Sequence, residues 1–202
     1  ILDPPLVLSY IGHECWKTTP FLSVVGSRDP HMISKAWINL ELREFLKRQR
    51  VGVVSGGARG VDFMAHQLAF QLDLPTVVFL PSGLHQMYPA SIRQHVRSIV
   101  DAGGCLMSEY NSNLEVRKYL FQHRNRLIAA MNHAVLIVEA KEKSGTLMTA
   151  HYALSLGKPV WIVPGHPLMP SFRGSLNLVM EGAQILRGAE DLRLFFESEL
   201  IS

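Results

Sequence analysis

The sequence predicts an α/β fold, in which helices cover both faces of a doubly wound, mainly parallel sheet. Six short apolar segments alternate along the chain with five segments of helical periodicity. The apolar segments are rich in Val, Ile and Leu and do not alternate strictly with polar residues. That composition is typical of strands that are buried on both faces, as they are between two layers of helices.

Each predicted strand is a short apolar block that ends at a small or polar residue. The predicted strands are residues 21–26, 51–55, 76–80, 105–108, 134–139 and 160–163. Between them, apolar residues at three- and four-residue spacing predict helices at 34–50, 61–71, 89–102, 117–131 and 146–156. Residues 174–200 are predicted to form a helix, a short strand at 184–186 and a terminal helix.

The composition fits one domain over residues 1–202, because 48% hydrophobic residues can form a sizeable core. No apolar run approaches the roughly 20 residues needed to span a bilayer. Cys15 and Cys105 are too few and too scattered for a zinc site or a disulfide framework, so a reducing, cytoplasmic location is expected. A net charge of +3 and a pI near 9.0 do not identify an anionic partner, so any basic site must be local.

Small and hydroxyl-bearing residues follow several predicted strands, at the sheet edge where ligands bind in open α/β folds. Three such turns are GSR at 26–28, SGG at 55–57 and SGT at 144–146. Glycine lets a phosphate approach the backbone, and free N–H groups at a helix N-terminus can bind it. An ordinary strand–helix connection explains any one of these turns equally well. Three turns that meet at one edge favour a rim that binds phosphate.

Familiar catalytic and cofactor motifs do not occur in the sequence, so neither a metal nor a cofactor is expected. The turn at 26–28 does not continue as G-x-G-x-x-G, and the turn at 144–146 lacks the lysine of a P-loop. Asp62 and His66 could form an acid–base pair, but a helix-start carboxylate and a packed histidine explain them better. Glu109 and Glu139 end two strands and could form a carboxylate pair or bind nearby arginines.

The segment EVRKYLFQHRNRLIAAM, residues 115–131, combines basic and aromatic side chains. Such a mixture suits single-stranded nucleic acid, whose phosphates attract cations while its bases stack on rings. An amphipathic helix with a solvated basic face and Phe121 in the core explains the segment equally well. Because the segment begins at the same rim as the glycine turns, we favour the first interpretation.

Seven motifs occur in the order found in the DprA (Smf) family, which the sequence resembles over nearly its whole length. They are VVGSRDP, VVSGGARGVDFMAH, PSGLHQMYP, LMSEY, FQHRNRLIAAM, VLIVEAKEKSGTLMTA and VWIVPG. The resemblance implies an extended Rossmann-like domain of natural transformation that binds and protects single-stranded DNA, self-associates as a homodimer and loads the RecA recombinase. It implies no enzymatic activity. The helical module often found before this core and the winged-helix-like module often found after it are not expected within residues 1–202.

The resemblance also implies which residues contact DNA; all of them except Lys118, which lies just before FQHRNRLIAAM, fall in one of these motifs. Two positions depart from the family pattern. Gln122 replaces a common proline, and Leu176 replaces a usual asparagine, with Asn177 one place later. The expected DNA-binding residues are Arg28, Ser55, Gly56, Gly57, Lys118, Phe121, Arg124, Asn125, Ser144, Gly145 and Thr146.

Helical geometry separates the roles of the two arginines in the sequence RNR. Residues three or four apart share a helix face, whereas residues two apart point in nearly opposite directions. We therefore expect Arg124 to share the face of Phe121 and to bind phosphate. We expect Arg126 to be structural and to form an ion pair with a strand-end carboxylate, Glu109 or Glu139.

An enzymatic alternative is a phosphoribohydrolase that acts on nucleoside monophosphates. This lysine-decarboxylase-like group shares the general architecture and has glycine-rich phosphate turns. Thr149 stands where its P-G-G-x-G-T-x-x-E motif has a glutamate, so the charged group for bond cleavage is missing. The sequence therefore favours DNA binding, tighter for single strands than for duplex and without strong sequence preference.

Overall fold

The computed structural model of the protein describes residues 3–201 and shows one eight-stranded sheet within them. The strands are β1 (Ser9–Gly12), β2 (Phe21–Val25), β3 (Gly52–Ser55), β4 (Thr76–Phe79), β5 (Cys105–Ser108), β6 (Ala134–Ile137), β7 (Val160–Ile162) and β8 (Gln184–Ile185). Their order is β1-β5-β4-β3-β2-β6-β7-β8. Every neighbouring pair is parallel except β1 and β5, which are antiparallel. The predicted α/β fold is confirmed.

Helices connect the parallel strands, as predicted. They are α1 (Met32–Trp37), α2 (Arg43–Gln49), α3 (Val61–Gln71), α4 (Val96–Asp101), α5 (Lys118–Ala130), α6 (Thr146–Ser155), α7 (Arg173–Met180) and α8 (Ala189–Ile201). A π-helical turn, Ile38–Leu42, joins α1 to α2, so the predicted helix at 34–50 is one continuous helical segment. The helix predicted at 89–102 is 3₁₀-helical over Ala90–His95 and α-helical only in α4.

Strand β1 is the element that the sequence prediction missed. Its four residues are mostly exposed, and it pairs along one side only, with β5. An edge strand with little buried surface does not need the apolar run that marks the central strands, so its sequence, SYIG, carries a weak signal.

Two hydrophobic layers cover the sheet, one on each face. Neighbouring strand residues point to opposite faces, so Val24 packs in one layer and Val25 in the other. The layer around Val24 includes residues of α2, α3 and α8, and the layer around Val25 includes residues of α5, α6 and α7. Burial on both faces is the reason that the central strands are largely apolar.

The chain reverses its direction of sheet growth at β2. From β2 it adds β3, β4 and β5 on one side, then crosses back and adds β6, β7 and β8 on the other. In open α/β sheets, ligands bind beyond the carboxyl ends of the strands at such a switch point. The topology therefore places the candidate site after β2 and β6.

The two cysteines lie next to each other in the core, although 90 residues separate them along the chain. Cys15 and Cys105 are both buried free thiols, with their Sγ atoms 4.0 Å apart. Their spacing along the chain gave no sign of this contact. Among residues 3–201, no helix is both long enough and apolar enough to cross a bilayer.

Candidate nucleic-acid interface

A cavity of about 520 Å³ lies at the switch point, beyond the carboxyl ends of β2 and β6. The loop after β2, the face of α5 and the loop that precedes α6 together form its walls. Of the residues expected to contact DNA, seven line it: Arg28, Phe121, Arg124, Asn125, Ser144, Gly145 and Thr146. Folding thus brings together side chains from three motifs that are far apart in sequence.

Arg124 forms the base of the cavity and is 4% exposed. Its Nη1 donates hydrogen bonds to the backbone carbonyls of Gly56, at 2.7 Å, and Phe79, at 2.5 Å. Burial lowers the pKa of the Arg124 guanidinium to about 10, while the nearby Asp62 carboxylate opposes that shift, so the group remains charged at neutral pH. Arg124 thus shares the cavity side of α5 with Phe121, as expected, but its guanidinium is buried and holds the ends of two strands. Its binding of phosphate stays a prediction.

The absence of a side chain at Gly56 leaves room for the Arg124 guanidinium. A Cβ atom at position 56 would lie 2.5 Å from Arg124 Nη1 and 2.6 Å from Cζ, so a side chain there would displace the guanidinium. The Gly56 N–H donates a hydrogen bond to Asp62 Oδ2 at 3.2 Å. We call Arg124, Gly56 and Asp62 the floor.

The turn at 55–57 supports the cavity and does not form its surface. Ser55 is fully buried and donates its hydroxyl to the Val24 carbonyl at 2.6 Å. Gly57 is buried with φ at +67°, a backbone conformation that favours glycine. The Ser55 hydroxyl and the Gly56 amide therefore already have partners within the fold. Contact of Ser55, Gly56 and Gly57 with DNA stays a prediction.

Asp62 and His66 are both buried, and both pack within the fold beneath the cavity. Burial raises the pKa of Asp62, and the charge on Arg124 opposes that rise. His66 is fully buried, with Nδ1 2.6 Å from the Thr76 hydroxyl, and burial lowers its pKa to about 3. His66 is thus neutral at physiological pH, in agreement with the favoured interpretation of a packed histidine.

Exposed cations stand above the floor. Arg28, Lys141 and Lys143 line the cavity and are exposed, and we call these three residues the rim. The Arg28 guanidinium carbon lies 5.7 Å from the centre of the half-buried Phe121 ring, a cation–π contact. Lys118 is exposed in the first turn of α5 but does not line the cavity.

Lys141 and Lys143 are the cavity cations that the sequence analysis did not assign to the site. A signal was available for Lys141, because it closely follows the strand predicted at 134–139, and ligands bind beyond such strand ends. Nothing in the local sequence indicated that Lys143 would also face the cavity.

The loop before α6 is tied to its surroundings by side chains. The Thr146 hydroxyl donates to the Gly26 carbonyl at 3.0 Å, and Asn125 Nδ2 donates to the Gly145 carbonyl at 3.2 Å. The Ser144 hydroxyl accepts the Thr146 N–H at 3.2 Å. These bonds keep the loop against β2 and α5, so Ser144 and Thr146 also stabilise the shape of the cavity.

Arg126 lies outside the cavity and is largely buried. Its Nη2 forms an ion pair with Glu109 at 2.5 Å, and its Nε lies 3.3 Å from the exposed carboxylate of Asp3. Glu139, the other expected partner, instead accepts hydrogen bonds from the His31 N–H at 2.9 Å and the Ser34 hydroxyl at 2.6 Å, so it caps the start of α1. The pairing of Arg126 with Glu139 is therefore wrong, and the pairing with Glu109 is present.

The cavity as a whole carries more positive than negative groups. Arg28, Arg124, Lys141 and Lys143 face it, against Asp29 and Asp62. Among residues 3–201, no group of three or more His, Cys, Asp or Glu side chains could hold a metal ion. The arrangement suits an anion that meets the rim cations and a flat group that meets Phe121.

A model of a known protein family matches almost the entire chain. It describes DNA recombination-mediator protein A and matches residues 1–197. The chain belongs to this family. Among curated members, the Smf protein of Synechocystis is 34% identical over 95% of this chain, and the DNA processing protein DprA of Bacillus subtilis is 32% identical over 95%. The chain spans 49% of the length of the first protein and 64% of the second.

Solved structures of DprA proteins superpose closely on the chain. DprA of Helicobacter pylori has a TM-score of 0.87 at 29% identity, covering 98% of this chain and 90% of that one. DprA of Streptococcus pneumoniae has a TM-score of 0.85 at 30% identity, covering 94% and 66%. The Helicobacter structure addresses the single-stranded DNA binding mode of that protein. A molybdenum cofactor binding protein of Rippkaea orientalis, with a TM-score of 0.60 at 19% identity, shares the Rossmann-like fold alone.

Proposed function

We propose that the protein binds single-stranded DNA across the cavity at the switch point. The observation that carries this proposal is the pairing of exposed rim cations, Arg28, Lys141 and Lys143, with the ring of Phe121 in one cavity. Cations neutralise phosphates, and an aromatic ring accepts the face of any unpaired base. The binding of single-stranded DNA by a Helicobacter relative with the same fold supports the assignment.

In this proposal the rim binds phosphate and the floor forms the base of the cavity. Arg28 and the two lysines offer hydrogen-bond donors to a passing backbone, whereas Arg124 donates to strand-end carbonyls. The DNA-binding assignment therefore applies most directly to Arg28 and Phe121, while Asn125 and the 144–146 loop, whose side chains bond within the fold, border the path of the strand. Lys118, which is exposed at the start of α5, can contact a phosphate beyond the cavity.

A labelled oligonucleotide provides the direct test. We expect the protein to bind single-stranded DNA more tightly than blunt duplex, with an affinity that falls steeply as salt rises, because bound cations release counterions. The double variant Lys141→Gln, Lys143→Gln should bind less tightly, whereas Lys47→Gln, an exposed lysine on α2 away from the cavity, should bind like the parent. Equal affinity for duplex, or a flat dependence on salt, would overturn the proposal.

We further propose that the protein protects incoming single-stranded DNA and helps to load the RecA recombinase in the cytoplasm. Support comes from membership of the recombination-mediator family. Nuclease resistance of DNA bound to the protein tests protection, and faster RecA filament assembly on DNA coated with a single-strand binding protein tests loading. A protein that binds DNA and does neither would restrict the proposal to binding.

Self-association as a homodimer is proposed as well. Exposed apolar side chains on β8 and α8, Ile185 and Leu194, are compatible with a contact between copies. Light scattering across a wide concentration range should give the mass of a dimer, and a monomer mass throughout would exclude it.

An assay for ribose 5-phosphate release from AMP separates DNA binding from the phosphoribohydrolase alternative. Thr149 lines the cavity and is buried at the position where that enzyme motif has a glutamate. Asp62 is the buried carboxylate of the cavity, and it already accepts the Gly56 N–H. We therefore expect no hydrolysis, and detectable turnover that tracks the protein through purification would favour the enzyme.

A further inference from the structure

A second aromatic ring stands beside Phe121, outside the residues assigned to the site. The Tyr88 ring centre lies 5.6 Å from that of Phe121, and the two ring planes meet at 90°. Tyr88 is 42% exposed, so its ring remains available to a ligand. We call the two rings the aromatic corner; Phe121 lines the cavity and Tyr88 lies beside it.

The loop that carries Tyr88 is fixed to the segment that leads into α5. The Gly83 N–H donates to the Leu114 carbonyl at 2.8 Å, and the His85 N–H donates to the Ser112 carbonyl at 2.9 Å. A Cβ atom at Gly83 would lie 2.1 Å from the Asn111 carbonyl oxygen, so the two segments are in close contact. Because Phe121 lies on α5 and Tyr88 on this anchored loop, the corner is preformed.

Perpendicular rings impose a geometry on a bound strand. A base that stacks on a ring lies parallel to it, so bases on Phe121 and Tyr88 would lie at right angles to each other. Two successive bases held in this way cannot stack on one another. The corner therefore favours strands whose bases separate at low cost, and poorly stacked pyrimidine runs meet that condition better than purine runs.

We propose that Tyr88 is a second stacking platform for single-stranded DNA, and that the aromatic corner bends the strand and selects pyrimidine-rich segments. This inference rests on the proposed DNA-binding function. The path of the strand then runs from Tyr88 over Phe121 and past Arg28 toward Lys141 and Lys143, with rings at one end and cations along the cavity.

Affinities for oligo-dT and oligo-dA of equal length test the inference. The parent should prefer oligo-dT. Tyr88→Ala should lose about tenfold in affinity for oligo-dT, within the range for one stacked base, and the ratio of the two affinities should fall toward one. Tyr88→Phe should retain the parent affinity, and Tyr88→Leu, which keeps apolar bulk without a ring, should behave like Tyr88→Ala.

Tyr10→Ala provides the matched control. Tyr10 is 41% exposed and makes a similar perpendicular ring contact, with Trp16, but it lies on the edge strand β1. This variant should bind both oligonucleotides like the parent. Melting temperatures of all variants establish that they are folded.

The outcomes separate this inference from the function on which it rests. If the parent binds single-stranded DNA and Tyr88→Ala binds oligo-dT and oligo-dA with parental affinities, the role of Tyr88 is excluded and the binding function stands. If Tyr88→Ala lowers the affinity for both oligonucleotides by the same factor, Tyr88 contributes to affinity and the selection of pyrimidines is excluded. If the parent binds neither oligonucleotide, the proposed function itself fails.

Discussion

Two arginines line the same cavity, one in the floor and one in the rim, and their surroundings give them different roles. Arg124 is buried and donates to two backbone carbonyls, while Arg28 is exposed and its guanidinium lies over the Phe121 ring. Residue type alone does not distinguish them. The two arginines differ in whether the donors of the guanidinium already have partners within the fold. Only free donors can bind a phosphate without breaking an internal bond.

The largest expected effect is the loss of stability in Arg124→Ala. This change leaves the carbonyls of Gly56 and Phe79 without a donor and Asp62 without its neighbouring cation. We expect the free energy of unfolding to fall by about 3–5 kcal/mol, as measured by urea denaturation. Arg28→Ala is the control and should change stability by no more than about 0.5 kcal/mol. If Arg124→Ala unfolds at the same urea concentration as the parent but loses DNA binding, the division between floor and rim is wrong.

Gly56→Ala should also destabilise the floor, by about 1–3 kcal/mol, because the added methyl group meets the Arg124 guanidinium. Gly145→Ala makes a matched comparison at the other side of the cavity. An added Cβ atom there has no neighbour within 4 Å, and Gly145 has a φ of −60°, which any residue can adopt. Thermal melting of the two variants should differ clearly, and equal melting temperatures would contradict the tight contact at Gly56.

The buried His66 should make stability depend on pH. Its pKa is about 3 in the folded protein and about 6.5 when unfolded, so the unfolded state binds more protons below pH 6.5. This contribution is fully present above pH 6.5 and is lost as the pH falls toward 3. The free energy of unfolding should therefore fall by about 2 kcal/mol between pH 7.5 and pH 5.

His66→Gln removes this titration while keeping a group that can hydrogen bond to Thr76. The stability difference between the parent and His66→Gln, measured by urea denaturation at each pH, should therefore shrink as the pH falls from 7.5 to 5. A constant difference over that range would show that His66 does not titrate as its burial predicts.

The smallest effect is expected from single lysines in the rim. Lys143→Gln should leave stability unchanged and lower the salt dependence of oligonucleotide binding by about one phosphate contact. Lys47→Gln, outside the cavity, should leave the salt dependence unchanged. If Lys143→Gln shows the parental salt dependence, then Lys143 lines the cavity without contacting the backbone of the DNA.

The arginines of α5 show where reasoning from sequence reached its limit. Helical spacing correctly placed Arg124 on the cavity side with Phe121 and Arg126 on another side, next to Glu109. It could not show that Arg124 is buried beneath the rim, because burial depends on the ends of β3 and β4, which carry Gly56 and Phe79. The partner of Arg126 was equally out of reach, since Glu109 and Glu139 both end strands and only packing separates them.

The order of strands and helices was set by the sequence itself, because buried strands and amphipathic helices leave distinct apolar patterns that depend only on neighbouring residues. The same local patterns placed the site after β2 and before α6. Tertiary structure decided which polar groups remain free. It buried Ser55 and Arg124, brought Lys141 and Lys143 to the rim and set Tyr88 against Phe121. These contacts join segments that are distant in sequence, and a hydrogen bond or a ring contact is available to a ligand only where the fold has not already used it.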